Sequence, residues 1–163
     1  MKFYMKQSTG TDALFIILDA LGQTVYHVTG DSLAIGSKLY LIDNLQREAA
    51  RIFSVGVPTL SKYSISIEEK ERARVTQNLN STHSPIKIKG VDWSFRGDLL
   101  TRSYDLVNAE SAVIMTHGRC WNQNGDCYAV EIAREPDALL CLCIAVILDN
   151  TVIGGKTAAL PVS

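Results

Sequence analysis

The sequence predicts a mainly β protein: a wall of antiparallel hairpins wrapped around one buried apolar segment. Three observations point there. Apolar and polar residues alternate through most of the chain, as they do in strands with one buried face. Short polar turns interrupt the alternation at a regular period, and three acidic residues that start such turns, Asp19, Asp43 and Glu68, lie 24 and 25 residues apart. Finally, Ala138 to Leu148 reads ALLCLCIAVIL, eleven residues without a charge, a Gly or a Pro. An element apolar on every side needs protein on every side, and this run is too short to cross a bilayer as a helix, which takes ~20 apolar residues.

The hairpins follow in order. Ala13 to Asp19 runs out, Ala20-Leu21-Gly22 turns, and Val25 to Gly30 returns. Leu39 to Ile42 is followed by Asp43-Asn44 and by Ala49 to Val55; Lys62 to Ile67 by the charged turn Glu68 to Lys70 and by Arg72 to Gln77. Ile86 to Lys89 is matched with Trp93 to Arg96, Tyr104 to Val107 with Ala112 to His117, and Gly118 to Trp121 with Tyr128 to Ala133. Arg47 to Phe53 and Glu68 to Arg74 contain good helix formers, but the hairpin rhythm around them makes both strands. A Gly with a short polar residue opens several strands, as in Gly10-Thr11-Asp12, Gly36-Ser37-Lys38 and Gly125-Asp126-Cys127. Gly tolerates the positive φ that such turns need.

The C-terminal segment has a different grammar. Glu135-Pro136-Asp137 opens it with a Pro and acidic residues, which suit the first turn of a helix. The apolar run then continues to Ile153, and Gly154-Gly155 is expected to end it. About eighteen helical residues span ~27 Å at 1.5 Å per residue. The expected organisation is one domain over residues 1–153, with 154–163 as a flexible tail.

Composition narrows the function classes. The 163 residues are 47% hydrophobic and 20% charged, with a net charge of −1, so no global basic field draws the chain to nucleic acid. The N-terminal MKFYMKQSTG has no apolar stretch of signal-peptide length, and the expected location is the cytoplasm. Cys141 and Cys143 sit inside the apolar run and read as small core hydrophobes. Cys120 and Cys127 flank the turn Asn122 to Gly125 and face each other if that turn has four residues. A disulfide is then conceivable, although cytosolic thiols are ordinarily reduced. No Cys-x-x-Cys pair exists and no His lies at zinc-ligand spacing from a Cys, so no metal or cofactor is expected.

The pieces together resemble a family. The opening MKFYMKQ, the strand–turn–strand with Asp19 and Gly22, the stretch IKIKGVDWSFRGDLLTRSYDL from Ile86 to Leu106, and Gly125-Asp126-Cys127-Tyr128 followed by EPDALLCLCIAVILD are similar to the LURP-one-related family, above all its small bacterial members. The resemblance runs from Met1 to about Ile153. It implies the fold of the tubby C-terminal domain and the phospholipid scramblases: a closed antiparallel barrel of about twelve strands, threaded by the apolar C-terminal α-helix. It implies no enzymatic activity. It suggests binding of an acidic lipid headgroup or a protein partner, but carries no lipid-contacting residue onto this chain.

The residues offer two further leads. Gly30 to Gly36 reads GDSLAIG, the nucleophile block of GDSL esterases, with Ser32 in the attacking position. A serine nucleophile needs a base oriented by an acid, and His27, His83 and His117 are preceded three residues earlier by Thr24, Asn80 and Ile114, not by Asp. The helices of an α/β hydrolase are also missing, so the esterase is the secondary reading. Lys87 and Lys89 alternate with Ile86 and Ile88 and therefore share one outward face. With Arg96 or Arg102 nearby they could form a small anion site. Asp149, at the end of the apolar run, is expected to cap or hydrogen-bond backbone at the barrel mouth. Trp93, Trp121 and Tyr104 are expected in the core or the wall.

Overall fold

The computed structural model describes residues 1–8, 13–30, 36–56, 60–78, 85–122 and 125–159, with 121–122, 125–126 and 151–159 described in their backbone alone. Among the described residues twelve strands form one antiparallel sheet: β1 (Lys2–Gln7), β2 (Ala13–Leu18), β3 (Thr24–Gly30), β4 (Lys38–Asp43), β5 (Glu48–Ser54), β6 (Ser61–Ile67), β7 (Lys70–Gln77), β8 (Ile86–Lys89), β9 (Ser94–Asp98), β10 (Ser103–Val107), β11 (Val113–Asn122) and β12 (Gly125–Ile132). Their order is β8-β7-β6-β5-β4-β3-β2-β1-β12-β11-β10-β9. The two edges, β8 and β9, come together without a hydrogen-bonded ladder, so the sheet is a nearly closed barrel.

Alternation sets the inner wall. Met5, Ile17, Val28, Leu39, Leu41, Ile52, Ile65 and Val75 are buried, while Lys38, Lys62 and Arg74 on the opposite faces are exposed. A short 3-10 helix (Glu135–Asp137) with Pro136 in its first turn leads into α1 (Ala138–Ala159). From Cys141 to Leu148 every residue of α1 is wholly buried. Each large apolar side chain taken from water in this way contributes about 1.5–3 kcal/mol, which makes α1 the centre of the core.

The turns explain the periodicity. The Oδ1 atoms of Asp19 and Asp43 each accept the backbone N–H groups two and four residues on, at 2.9 Å, and Asn108 repeats the arrangement. These are the side-chain-closed turns that short Asp and Asn residues make. Glu68 keeps the spacing but not the chemistry. Its longer side chain does not close the turn, and Glu68 and Glu69 instead both adopt positive φ, 54° and 64°, as a two-residue hairpin turn requires.

The structure corrects the expected elements in three places: one pairing, one strand division and one helix end. Ile86 to Lys89 does not pair with the segment after Trp93: β8 pairs along its whole length with β7, and β9 with β10. Gly90 (φ 99°) turns the chain so that Trp93 enters the core between them. Ala112 to His117 and Gly118 to Trp121 belong to one strand, β11, because Gly118 keeps ordinary strand pairing with Ala129. The helix does not end at Gly154-Gly155 but continues to Ala159; Gly weakens a helix by about 1 kcal/mol without compelling it to stop. The segments Glu48–Ser54 and Lys70–Gln77 are strands, as expected from the hairpin rhythm.

Antiparallel order fixes the polarity of the barrel. The β2–β3, β4–β5 and β10–β11 turns lie at the end where α1 enters. The β9–β10 turn, the end of β1 and the start of β12 lie at the opposite end, where Asp149 closes the buried part of the helix.

Candidate functional site at the barrel mouth

That opposite end holds a cavity of about 610 Å³, within the range of small-ligand sites. Strand alternation supplies its wall: Met5 and Gln7 from β1, Phe15 from β2, Arg119 from β11 and Tyr128 from β12. The β9–β10 turn adds Leu100, Thr101 and Arg102, and Asp149 of α1 forms the floor. The register makes the grouping: Gln7 lies opposite Phe15, Met5 opposite Tyr128, and Tyr128 opposite Arg119.

A polar chain runs beneath the floor. His117 Nδ1 is 2.6 Å from the Arg102 carbonyl oxygen, and His117 Nε2 is 3.1 Å from Asp149 Oδ2. The side chains of His117 and Asp149 are 0% and 1% exposed. A carbonyl oxygen can only accept, so Nδ1 donates to it. One further proton then lies between Nε2 and Oδ2, as an imidazolium facing a carboxylate or as a neutral imidazole facing a carboxylic acid. The pair is neutral overall in both forms, which is how a buried carboxylate avoids the cost of an uncompensated charge. Asp149 Oδ1, also buried, has no hydrogen-bond partner among the described residues.

Aromatic stacking holds the imidazole in place. His117 lies between Tyr104 (centroids 4.5 Å apart, planes at 9°) and Tyr128 (5.1 Å, 21°), and Phe95 extends the stack beyond Tyr104. The Arg102 guanidinium covers the other end, 4.8 Å from the Tyr128 ring centre, a favourable cation–π contact. Burial, and secondarily the Asp149 charge, holds the Tyr104 hydroxyl well above its ordinary pKa. Arg102 adopts φ 58° and donates its N–H to Leu99, and Asp98 Oδ1 accepts the Leu100 N–H. His117 thus pins the carbonyl of the turn residue that carries a cation into the cavity.

The residues of the anion site expected on the outer face lie away from the mouth. Lys87 and Lys89 are exposed on β8 and Arg96 is exposed on β9, the two edge strands, and none of the three lines the mouth. Carboxylates interrupt the patch: Arg96 lies opposite Asp105, and Arg74, opposite Lys89, is ion-paired with Glu71 at 2.6 Å. Arg102 is the one residue of that reading that the fold brings to the cavity. Asp149 is at the mouth as expected, but it bonds the His117 imidazole instead of strand backbone. Sequence reasoning passed over Arg119 and Tyr128. Their signal was the inward parity of β11 and β12, shared with Met115, His117 and Val130.

Trp93 and Tyr104 are buried, as expected. Cys120 and Cys127, left open by the sequence, are opposite each other in the ladder with Cα atoms 5.4 Å apart and are joined as a disulfide, next to the Arg119–Tyr128 pair. Ser32 lies outside the described residues, as do His83, most of the GDSLAIG block and the Gly10-Thr11-Asp12 opening. Among the described residues no His, Cys, Asp or Glu side chains gather in a group of three that could hold a metal, and no helix is long and apolar enough to cross a membrane.

The comparisons with known proteins agree with this architecture. The LURP-one-related family model matches residues 1–149. The uncharacterized protein YxjI of Bacillus subtilis (strain 168) is 31% identical over 151 residues, covering 91% of this chain and 92% of that protein. An X-ray structure of a protein from Arabidopsis thaliana has the same fold, with a TM-score of 0.62 at 13% identity over 92% of this chain and 91% of its own. A barrel threaded by a helix, matched over its length by that model, defines the class: the chain belongs to the LURP-one-related family.

Proposed function

We propose that the chain is a non-enzymatic binding module that takes an anionic group, such as an acidic lipid headgroup, at the barrel mouth. The observation that carries this reading is the placing of Arg102 and Arg119 in one cavity wall, with Tyr128 opposite Arg119 in the ladder and under the Arg102 guanidinium. Guanidinium groups match phosphate and carboxylate bidentately, and the His117 contact to the Arg102 carbonyl fixes one of them in advance. Arg102 and Arg119 supply the positive charge of this wall.

The test is binding of the full chain to phosphatidylglycerol vesicles and, separately, to inorganic phosphate. Binding should weaken as salt rises and should fall at least about tenfold in Arg102→Gln/Arg119→Gln, since bonds to charged groups contribute about 1.5–3 kcal/mol each. The Lys87→Glu/Lys89→Glu variant should bind like the wild type. Equal binding by the arginine variant, or loss confined to the lysine variant, would move the site to the outer face.

A further inference from the structure

Two cations account for an anionic group in the mouth, but they leave the floor unexplained. Asp149 lines the same cavity, is 1% exposed, and among the described residues keeps Oδ1 without a hydrogen-bond partner while Oδ2 is held by His117. A buried acceptor of this kind costs about 1–3 kcal/mol when nothing donates to it, and sites selected for an anion alone have no use for a carboxyl oxygen. From this juxtaposition we infer that the ligand is bifunctional: its phosphate or carboxylate meets Arg102 and Arg119, and an N–H donor, an ammonium group, reaches Asp149 Oδ1. The inference rests on the anion-binding reading above and names the ligand class of that site.

The chemistry of the floor favours this class. Oδ1 presents lone pairs and no donor if Asp149 is a carboxylate, and the shared proton lies on the Oδ2 side in both forms of the pair. A second anionic oxygen of the ligand would therefore be repelled there, while an ammonium group would be held. Tyr128 and Phe15 supply apolar wall for the short carbon link between the two ends. The same pattern of phosphate plus ammonium occurs in a free phosphomonoester and in a phospholipid headgroup.

Calorimetric titration of the full chain distinguishes the possibilities, with O-phosphoethanolamine and ethyl phosphate as probes. They share the phosphate and differ in the ammonium group. O-phosphoethanolamine should bind about tenfold or more tightly. Arg119→Gln should weaken both probes and preserve their ratio. Asp149→Asn keeps a side chain of the same shape and an oxygen acceptor but removes the charge, and should bring the ratio close to one. If Asp149→Asn does not fold, the wild-type ratio alone decides. Equal affinities with an arginine-dependent ethyl phosphate signal would overturn the inference and leave the anion reading standing. Absence of binding by either probe, together with no vesicle binding, would overturn both. Co-sedimentation with equimolar phosphatidylcholine and phosphatidylethanolamine vesicles, against phosphatidylcholine alone, assigns the source: phosphatidylcholine has a quaternary nitrogen with no N–H. Retention on the mixed vesicles identifies a membrane headgroup, and calorimetric binding without retention identifies a soluble phosphomonoester.

Discussion

Replacing His117 by Phe isolates the polar chain beneath the mouth. Phe keeps an aromatic ring between Tyr104 and Tyr128 but lacks both nitrogens. The Arg102 carbonyl and both Asp149 oxygens are then without protein partners, Oδ1 having had none to begin with. Removing one member of a buried charged pair costs about 3–5 kcal/mol. Asp149→Leu alone leaves His117 Nε2 unpaired, a neutral group once the acid is gone, at about 1–3 kcal/mol. In the double variant no carboxyl and no imidazole remain, and only the Arg102 carbonyl is orphaned, again about 1–3 kcal/mol. The carbonyl is orphaned in His117→Phe and in the double variant alike, so its cost cancels and the coupling is the sum of the pair and imidazole costs, about 4–8 kcal/mol. Urea unfolding followed by far-UV circular dichroism reads this directly, provided the denaturant slopes agree. A double variant that loses the sum of the singles to within about 0.5 kcal/mol would refute the shared-proton pair.

Three other expectations follow from the barrel. Ile144→Ala, in the wholly buried part of α1, should cost about 2–5 kcal/mol in the same unfolding experiment. Gly97→Ala places a Cβ at φ 136°, 2.5 Å from the Ser103 carbonyl oxygen and 2.6 Å from Tyr104 Cα, and should cost well over the about 1–2 kcal/mol expected for Gly22→Ala, where φ is 81° but nothing lies within 4 Å. Burial pushes the Cys141 thiol up to about 12 and the Cys143 thiol higher still, from an ordinary 9.0. Both should resist iodoacetamide in the native state and react on denaturation. Because the raised values belong to the folded state, their contribution to stability is complete below about pH 9 and is lost as pH rises towards 12, so the urea midpoint should fall over that interval.

How much of this was legible in the sequence depends on the range of the signal. The central helix was legible because eleven consecutive apolar residues need protein on every side, and Glu135-Pro136-Asp137 before them suits the first turn of a helix. Asp19 and Asp43 announced their turns because the closing hydrogen bonds are local. The mouth was not legible, because Tyr104, His117 and Tyr128 stack through strand register over intervals of 13 and 11 residues, and alternation alone does not say which inward position sits at which level. Lys87, Lys89 and Arg96 were attractive because alternation marks them as outward. Outwardness is a property of one strand, however, and does not bring a side chain to the mouth. Asp149 was flagged by its place after the apolar run, but its partner lies 32 residues away, beyond any local pattern.

The order of the strands has a consequence for biosynthesis. β1, which precedes the other strands of the barrel in synthesis, has its second neighbour in β12, and the Met1 ammonium group bonds the carbonyl of Ile132, 131 residues later, at 2.8 Å. Until that residue emerges, the nascent sheet has an open border and an oily lumen with nothing in it, because α1 follows β12 in the chain. Contacts of such long separation fold slowly. A message truncated before Ala138 would yield no smaller version of this domain, only a hollow sleeve that chaperones and proteases would compete to clear.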